Sequence, residues 1–300
     1  MGTAVGLLGT GRMGSAMARA LAAAGFEPVL WNRTSDSAER LAGELGGRTA
    51  ATPADVARSA AVCVSMLADG AAVDAVYAGP DGLLGGATER NVLVDCSTVP
   101  PAVLRRHEPA ARERSAGLLD APVSGSVALA ESGTLTLMVG GEAADVERAR
   151  PVLDALGSTV FHLGPLGSGA AMKLAVNTAI FGLNGAVAEA IVLAEAAGIP
   201  RGTAYDVLAA SAAGAPFVGY KRASFVEPDS APVGFALELA AKDLRLIAEL
   251  AEQVGVELPQ ATTNARLIEA TGQALGDGRD FSAVAVHLRR QAQRQEAATG

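Results

Sequence analysis

The feature that most limits how this chain can fold is the alternation of short apolar segments with helical patterns in its first half. Strands are predicted over residues 4–8, 28–31, 61–66 and 91–95, and weaker ones over 118–121, 134–139 and 159–163. Between the first strands, helical patterns at residues 12–24 and 35–45 end at glycines. Such alternation predicts βαβ units around a parallel sheet, which is the α/β class.

The second half of the chain has a different pattern, because no further strand is evident after the Gly-Pro-Leu-Gly segment at residues 164–167. Helices are predicted over residues 168–197, 201–211, 235–254, 259–275 and 282–294, and residues 212–234 are predicted to be a connector. A length of 300 residues is enough for two domains. We therefore predict an α/β domain over residues 1–164 and an all-α domain over residues 165–300.

A glycine-rich turn follows the first predicted strand and opens the first predicted helix. It has the form G-x-G-x-x-G and consists of Gly9, Thr10, Gly11, Arg12, Met13 and Gly14. In a dinucleotide site the first glycine allows the turn, the second lets backbone approach the pyrophosphate, and the third lets helix pack on strand. Free N–H groups at the helix start bind the phosphates. This context predicts a dinucleotide site, with a purely structural turn as the alternative.

The end of the second predicted strand bears on which dinucleotide is bound. NAD sites usually carry an acidic residue there for the ribose 2′-hydroxyl, whereas this chain has Asn32, Arg33 and Thr34. Arg33 is suited to a charge-assisted pair with a 2′-phosphate, and Thr34 adds a hydroxyl group. We therefore predict NADP in preference to NAD. An ordinary solvated surface arginine is the alternative.

Two polar residues stand out at the start of the long apolar helix predicted from residue 168. Lys173 and Asn177 are four residues apart, so they share one helix face. Lysine is scarce, because Lys173, Lys221 and Lys242 are the only lysines among 24 lysines and arginines. Unlike arginine, a lysine ammonium can shift its pKa and donate a proton. A lysine that snorkels to solvent is the alternative interpretation.

A second polar cluster follows the strand predicted over residues 118–121. Residues 120–126 read Asp-Ala-Pro-Val-Ser-Gly-Ser. A turn of this kind presents the Ser124 hydroxyl and the Gly125 backbone N–H together, and both groups can hydrogen-bond a carboxylate. A plain loop is the alternative.

Charge and composition exclude several classes of partner. The net charge is −8 and the sequence pI is about 5.0, which argues against a nucleic-acid partner. Cys63 and Cys96 lie in apolar segments, so we expect no disulfide framework and a reducing, cytoplasmic location. We see no signal-peptide pattern at the start. Asn177, Asn184 and Glu189 interrupt the most apolar stretch, so we expect a buried helix and no membrane partner.

Four segments together resemble the β-hydroxyacid dehydrogenase family, which includes 3-hydroxyisobutyrate dehydrogenases and tartronate semialdehyde reductases. They are residues 6–14, 120–125, 167–177 and 235–244, and they occur in the family's order along nearly the whole chain. The resemblance implies an N-terminal Rossmann-type domain joined by a long interdomain helix to an all-α domain. It also implies that the all-α domain assembles the chain into homodimers or homotetramers.

The resemblance further implies roles for single residues. Lys173 would be the general acid in reduction and the general base in oxidation, and Asn177 would orient the substrate. Ser124 and Gly125 would bind the carboxylate of a small-molecule substrate. Further cofactor contacts would come from Met66, Leu67, Thr98, Phe235 and Lys242.

The implied activity is reversible hydride transfer between NADP(H) and a small 3-hydroxy acid or acid semialdehyde. No metal is expected, because His107, His162 and His287 are scattered. Alternatives are an imine reductase acting on C=N, decarboxylating oxidation of the 6-phosphogluconate dehydrogenase type, and a catalytically silent NADP-binding module. Lys173 argues against the first and the third, because imine reductases usually carry Asp or Tyr at that position and silent relatives lose the lysine. Ser126 departs from the family's Pro-Val-Ser-Gly-Gly, and we expect it to narrow the pocket or add a hydrogen bond.

Overall fold

The computed structural model describes the backbone of residues 2–299 and the side chains up to residue 295. The chain divides into two compact units, which we call the first unit, ending at Lys173, and the helical unit, beginning at Leu174. The division falls inside one long helix, Ser168–Ala196, which therefore starts in the first unit and continues into the helical unit.

The first unit has the α/β architecture that the sequence predicts. Its strands are β1 Ala4–Leu8, β2 Glu27–Trp31, β3 Arg48–Thr49, β4 Val62–Ser65, β5 Val92–Asp95, β6 Gly117–Asp120, β7 Val123–Ser124, β8 Leu135–Val139 and β9 Gly157–His162. Its helices are α1 Arg12–Ala23, α2 Ser35–Leu45, α3 Pro53–Ser59, α4 Gly70–Ala78, α5 Leu83–Gly86, α6 Pro101–Arg105, α7 Glu108–Glu113, α8 Val127–Glu131 and α9 Ala143–Leu156. The sequence did not predict β3 and β7, because strands this short show no period.

Six strands form one parallel sheet in the order β3-β2-β1-β4-β5-β6. This is the strand order of a doubly wound dinucleotide-binding fold, in which the order reverses beside β1 and ligands bind outside the carboxyl ends of the strands. The predicted Rossmann-type domain is therefore confirmed. A second sheet pairs β7 antiparallel with β8, and β8 parallel with β9.

The parallel sheet is covered on both faces. In β1, Val5 and Leu7 pack in one hydrophobic cluster with Met17 of α1, whereas Leu8 packs in a second cluster with Val56 of α3. Successive strand side chains point to opposite faces of a sheet, so the two clusters lie on its two sides. Such burial on both faces explains why these strands appear in the sequence as continuous apolar segments.

The helical unit is all-α within the described residues, as predicted. It contains most of α10 Ser168–Ala196, then α11 Arg201–Ala210, α12 Pro216–Val226, α13 Leu237–Val254, α14 Pro259–Leu275, a 3₁₀ turn Phe281–Ala283 and α15 Val284–Thr299. Aromatic rings fill its core: the Phe281 ring lies 5.9 Å from that of Phe181, 5.8 Å from that of Phe217 and 5.3 Å from that of Phe235, measured between centroids.

The predicted connector over residues 212–234 is wrong across α12. Pro216 occupies the first turn of this helix, where a missing N–H is tolerated. The residues on its buried face have helical spacing, but two of them, a lysine and a serine, are polar. They interrupt the hydrophobic periodicity, so the sequence did not predict the helix. These buried positions are Phe217, Val218, Lys221, Ser224 and Phe225.

Helix α10 is the one helix among the described residues that is long and apolar enough to cross a membrane, with a mean hydropathy of 1.5 over its most apolar window. Only 33% of that window is buried, so the helix is less buried than the sequence predicted. Two of the polar residues that interrupt it face the interior of the helical unit. Asn177 donates a hydrogen bond to Asp243 Oδ2, and Asn184 donates one to the Phe281 carbonyl oxygen.

Candidate active site

The glycine-rich turn lies between β1 and α1. Gly9 has a φ of +97°, and a Cβ there would lie 2.3 Å from the Met66 carbonyl oxygen. A Cβ on Gly14 would lie 1.9 Å from the Gly9 carbonyl oxygen, so only glycine lets α1 pack on the turn. A Cβ on Gly11 would instead point into open space, at the N-cap of α1. The turn therefore leaves room for a pyrophosphate at a helix start, and its residues fit a dinucleotide.

Asn32, at the end of β2, braces this turn. Its Oδ1 accepts a hydrogen bond from the Thr10 backbone N–H at 3.1 Å, and its Nδ2 donates to the Thr34 carbonyl oxygen at 3.0 Å. Thr10 Oγ1 lies 2.6 Å from Ser37 Oγ, a residue that the sequence analysis missed. Arg33 is exposed. The other residues of the turn are placed with Thr10 buried, Met13 half-buried and Arg12 exposed.

A buried carboxylate, Asp95, organises the carboxyl ends of β4 and β5. Its Oδ1 accepts hydrogen bonds from Ser65 Oγ at 2.6 Å and from Ser97 Oγ at 2.8 Å. Ser97 Oγ in turn accepts the Leu67 backbone N–H at 2.9 Å. The predicted cofactor contacts Met66, Leu67 and Thr98 are half-buried and follow these two strands. The sequence analysis included Asp95 only as the last residue of a predicted strand and gave it no role.

Ionisation of the Asp95 carboxyl group is energetically unfavourable in the folded protein. It is 1% exposed, and its Oδ2 has no hydrogen-bond partner among the described residues. Burial raises the pKa of Asp95 to about 6, against the hydrogen bonds from Ser65 and Ser97, which lower it. The native state therefore favours the protonated carboxyl group more than the unfolded chain does.

We expect Asp95→Asn to remove a pH dependence of stability. The contribution of Asp95 to the free energy of unfolding is fully present below its unfolded pKa near 4. This contribution is lost as the pH rises through about 6. The unfolding free energy of the wild type, relative to the variant, should fall by on the order of 3 kcal/mol between pH 4 and pH 7. Any constant cost of the new amide cancels in this comparison.

Urea unfolding at several pH values measures this difference. Asp55→Asn is the control, and the pH dependence of stability that it removes should have the opposite sign. The reason is that hydrogen bonds from Thr52 and Arg58 lower the pKa of the exposed Asp55 carboxyl group. Wild-type and Asp95→Asn stability profiles that run parallel with pH would show that Asp95 does not titrate as described.

The predicted carboxylate-binding loop leads from β6 into β7. Ser124 is half-buried and pairs with Thr136 of β8. Gly125 has a φ of +144°, and a Cβ there would lie 2.7 Å from Leu135 Cδ2. Ser126, the departure from the family pattern, is the N-cap of α8, where its Oγ accepts a hydrogen bond from the Leu129 N–H at 3.4 Å. The hydrogen bond expected of Ser126 is therefore made to its own helix.

Lys173 and Asn177 lie on successive turns of α10. Lys173 is half-buried, and Asn177 is 7% exposed. Asn177 Nδ2 donates to Asp243 Oδ2 at 2.8 Å, and Lys242 Nζ lies 3.2 Å from Asp243 Oδ1. Asp243 is thus a part of the candidate site that the sequence analysis missed, although it directly follows Lys242. Its buried carboxylate orients the Asn177 amide.

Phe235 is held by a third carboxylate, Asp280, whose side chain is 11% exposed. Asp280 Oδ2 accepts the backbone N–H groups of Gly234 at 2.9 Å and of Phe235 at 3.0 Å. Lys221 Nζ lies 2.7 Å from both Asp280 oxygens and 4.7 Å from the Phe281 ring centroid. Lys221, the third scarce lysine, therefore forms a buried ion pair beneath the Phe235 segment.

Histidines and cysteines do not converge within the described residues. No group of three or more His, Cys, Asp or Glu side chains in residues 2–295 is arranged to hold a metal ion. His107 is buried, stacks on Tyr77 and contacts Asp74 at 2.8 Å. Cys63 and Cys96 are buried and free, and burial raises the pKa of both thiols.

Two family models match consecutive parts of the chain. Residues 4–164 match the NAD binding domain of 6-phosphogluconate dehydrogenase, and residues 167–288 match the NAD-binding domain of NADP-dependent 3-hydroxyisobutyrate dehydrogenase. The chain is 36% identical over 281 residues to glyoxylate/succinic semialdehyde reductase 2, chloroplastic, of Arabidopsis thaliana, covering 93% of this chain and 78% of that protein. The chain belongs to the β-hydroxyacid dehydrogenase family. It is an oxidoreductase of that family.

Other β-hydroxyacid dehydrogenase relatives support the assignment. An NAD-dependent L-serine dehydrogenase of Pseudomonas aeruginosa is 34% identical over 290 residues, covering 93% of this chain and 96% of that protein. The crystal structure of 3-hydroxyisobutyrate dehydrogenase from Salmonella typhimurium matches with a TM-score of 0.85 at 29% identity, covering 94% and 99% of the two chains. An imine reductase from Myxococcus stipitatus, at 24% identity and a TM-score of 0.62 over 95% and 99% of the chains, shares the fold alone.

The candidate residues of this β-hydroxyacid dehydrogenase occur in both units. The first unit carries the glycine-rich turn, the β2, β4 and β5 ends, the Ser124–Gly125 loop and Lys173, whereas the helical unit carries Asn177, Phe235 and Lys242. Buried or largely buried carboxylates support three of these groups: Asp95 at the β4 and β5 ends, Asp243 at Asn177 and Asp280 at Phe235. Such carboxylates give little signal in a sequence, because an acidic residue is more often solvated than buried.

Proposed function

We propose that the protein catalyses reversible hydride transfer between NADP(H) and a small 3-hydroxy acid or acid semialdehyde. The observation that carries the proposal is the position of Lys173. This lysine is half-buried in the first turns of α10, in the same unit as the glycine-rich turn and the Ser124–Gly125 loop. The proposal is supported because that unit holds the glycine-rich turn, the Ser124–Gly125 loop proposed to bind a carboxylate, and a lysine proposed to donate a proton.

Substrate binding uses the Ser124–Gly125 loop. The Ser124 hydroxyl and the Gly125 N–H donate hydrogen bonds to the carboxylate of the substrate. Asn177, whose Nδ2 is engaged by Asp243, orients the substrate through the rest of its amide. When bound, the reduced nicotinamide supplies a hydride to the carbonyl carbon.

Proton transfer is the role of Lys173. As the carbonyl carbon gains a hydride, its oxygen develops alkoxide charge, which an ammonium group stabilises. Lys173 donates its proton to that oxygen, the hydroxy acid leaves, and solvent returns a proton to the neutral amine. In the oxidative direction the neutral amine accepts the hydroxyl proton. General acid–base catalysis of this kind contributes roughly 10²- to 10⁴-fold in rate.

NADP is the proposed cofactor in preference to NAD. Asn32 stands where an acidic residue would bind a ribose 2′-hydroxyl, and its amide braces Thr10 and Thr34 instead. The exposed Arg33 guanidinium follows directly and is available to a 2′-phosphate.

Arg33→Gln is expected to weaken NADPH binding by at least about tenfold and to leave NADH binding nearly unchanged, because a charge-assisted hydrogen bond contributes about 1.5–3 kcal/mol. Fluorescence titration with both cofactors measures the two dissociation constants. Arg58→Gln is the control, since Arg58 is an exposed arginine of the same unit that pairs with Asp55. An equal loss for NADH and NADPH would contradict a 2′-phosphate contact.

The function is tested by following nicotinamide absorbance with a panel of acid semialdehydes and cyclic imines, with NADPH and with NADH. We expect NADPH-dependent reduction of at least one semialdehyde and no turnover of imines. Imine turnover that survives loss of Lys173 would favour an imine reductase. Tight NADPH binding without any turnover would favour a silent binding module.

The proposal extends to assembly and location. A cytoplasmic homodimer or homotetramer is proposed, built through the helical unit. In support, several large apolar side chains of that unit are exposed in the single chain, among them Leu193 at 73%, Val207 at 63% and Val254 at 62%.

A further inference from the structure

The side chain of Asp120, the last residue of β6, binds the start of α10. It is 1% exposed. Its Oδ1 accepts the Gly167 backbone N–H at 2.6 Å, and its Oδ2 accepts the Ala170 backbone N–H at 2.6 Å. A helix start leaves several N–H groups without partners inside the helix, and a carboxylate there also interacts favourably with the helix dipole. Asp120 thus caps α10 from a distant strand.

The contact is close because glycines surround the carboxylate. A Cβ on Gly140 would lie 2.4 Å from Asp120 Oδ1, and a Cβ on Gly169 would lie 2.1 Å from the Met138 carbonyl oxygen. The first turn of α10 therefore packs directly on the ends of β6 and β8. Arg105 stabilises the same segment, because its Nε donates a hydrogen bond to the Leu166 carbonyl oxygen at 2.9 Å.

The backbone of Asp120 is fixed as firmly as its side chain. Its N–H donates to the Gly140 carbonyl oxygen at 3.1 Å, and its carbonyl oxygen accepts the Gly140 N–H at 2.8 Å. Asp120 therefore has one fixed position from which two functional segments extend. Its main chain continues to Ser124 and Gly125, and its side chain holds the turn of α10 that precedes Lys173.

We propose that Asp120 is a positioning residue that sets the location of Lys173 relative to the Ser124–Gly125 loop. This inference rests on the proposed function, in which that loop binds the substrate carboxylate and Lys173 protonates its carbonyl oxygen. Lys173 is three residues beyond Ala170, so a shift of the first turn moves its ammonium group. A misplacement of about 1 Å can lower a rate by about 10²-fold.

Asp120→Asn is the first test, because it keeps the size of the side chain but turns one acceptor into a donor that faces a backbone N–H. We expect kcat for semialdehyde reduction to fall by about 10- to 100-fold, with NADPH affinity within about twofold of wild type. If this variant does not fold, Asp120→Ser keeps an acceptor for one N–H group and carries the same expectation.

A double-mutant cycle separates positioning from a general structural effect. In the Lys173→Ala background, Asp120→Asn should cause no further loss, because Asp120 acts through the lysine that is absent. Thr52→Ala is the control: Thr52 caps α3 of the same unit, where its Oγ1 accepts the Asp55 N–H at 3.1 Å, so the variant should lose stability but keep kcat.

Three results would overturn the inference: wild-type kcat in a folded Asp120 variant, an additive loss in the Lys173→Ala background, or an equal fall of kcat in Thr52→Ala. Failure of the proposed function is distinguishable from these. It would appear as undiminished turnover in Lys173→Ala itself, whatever the Asp120 variants do.

Discussion

Lys173→Ala is expected to lower kcat for semialdehyde reduction by about 10²- to 10⁴-fold while NADPH affinity stays within about twofold. Alanine has no proton to donate and no charge to stabilise the developing alkoxide. The cofactor turn is elsewhere in the first unit and is built from backbone geometry, so cofactor binding should persist. Steady-state kinetics and a cofactor titration on the same preparation measure the two quantities.

Lys173→Arg distinguishes proton donation from charge alone. A guanidinium keeps its proton at any working pH, so this variant should also turn over poorly although it keeps the positive charge. Arg112→Ala is the control, because Arg112 is an exposed cation of the same unit that pairs with Glu108 on α7. Turnover of Lys173→Ala equal to that of Arg112→Ala would remove Lys173 from the mechanism.

Lys221→Ala is expected to lower the unfolding free energy of the helical unit by about 3–5 kcal/mol, the usual cost of leaving one charge of a buried pair without its partner. The Lys221 and Asp280 side chains are only 7% and 11% exposed. Burial raises the pKa of Asp280, but Lys221 and backbone N–H groups outweigh it and hold that pKa below its ordinary value. Without the ammonium group, Asp280 remains buried with backbone N–H donors alone.

Arg222→Ala is a matched control for this loss. Arg222 is the next residue along α12 and forms an exposed pair with Asp206 at 2.7 Å, with the two side chains 46% and 59% exposed. Exposed pairs contribute at most about 1 kcal/mol. Urea unfolding followed by circular dichroism compares the two variants. Equal losses would mean that the Lys221–Asp280 pair stabilises the protein no more than a surface pair does.

The position of the glycine-rich turn was predictable because its chemistry is local. A positive φ at Gly9 and the close packing at Gly14 each exclude a side chain, so the residue types themselves mark the turn. The parallel sheet was predictable for a similar reason, since strands buried on both faces are continuously apolar. Lys173 and Asn177 were predictable as candidates because lysine is scarce in the chain and the two residues share one helix face, and the family resemblance implied their roles.

Helix α12 shows where this reasoning fails. Its buried face includes Lys221, whose charge is compatible with burial only because Asp280, distant in sequence, lies beside it. A hydrophobic periodicity in which lysine counts as a surface residue does not predict such a helix. Asp243 was missed for the same reason, because its burial depends on the amide of Asn177.

The sequence by itself determined the α/β and all-α halves, the dinucleotide turn and the scarce lysine at the start of a helix, because these depend on local period, on glycine geometry and on residue chemistry. Only the tertiary structure decided which carboxylates hold the functional segments in place. Asp95, Asp120 and Asp280 bind groups that are brought to them by strand order and helix packing. Partners far apart in the chain leave no spacing that a sequence pattern can show, and they become neighbours only on folding.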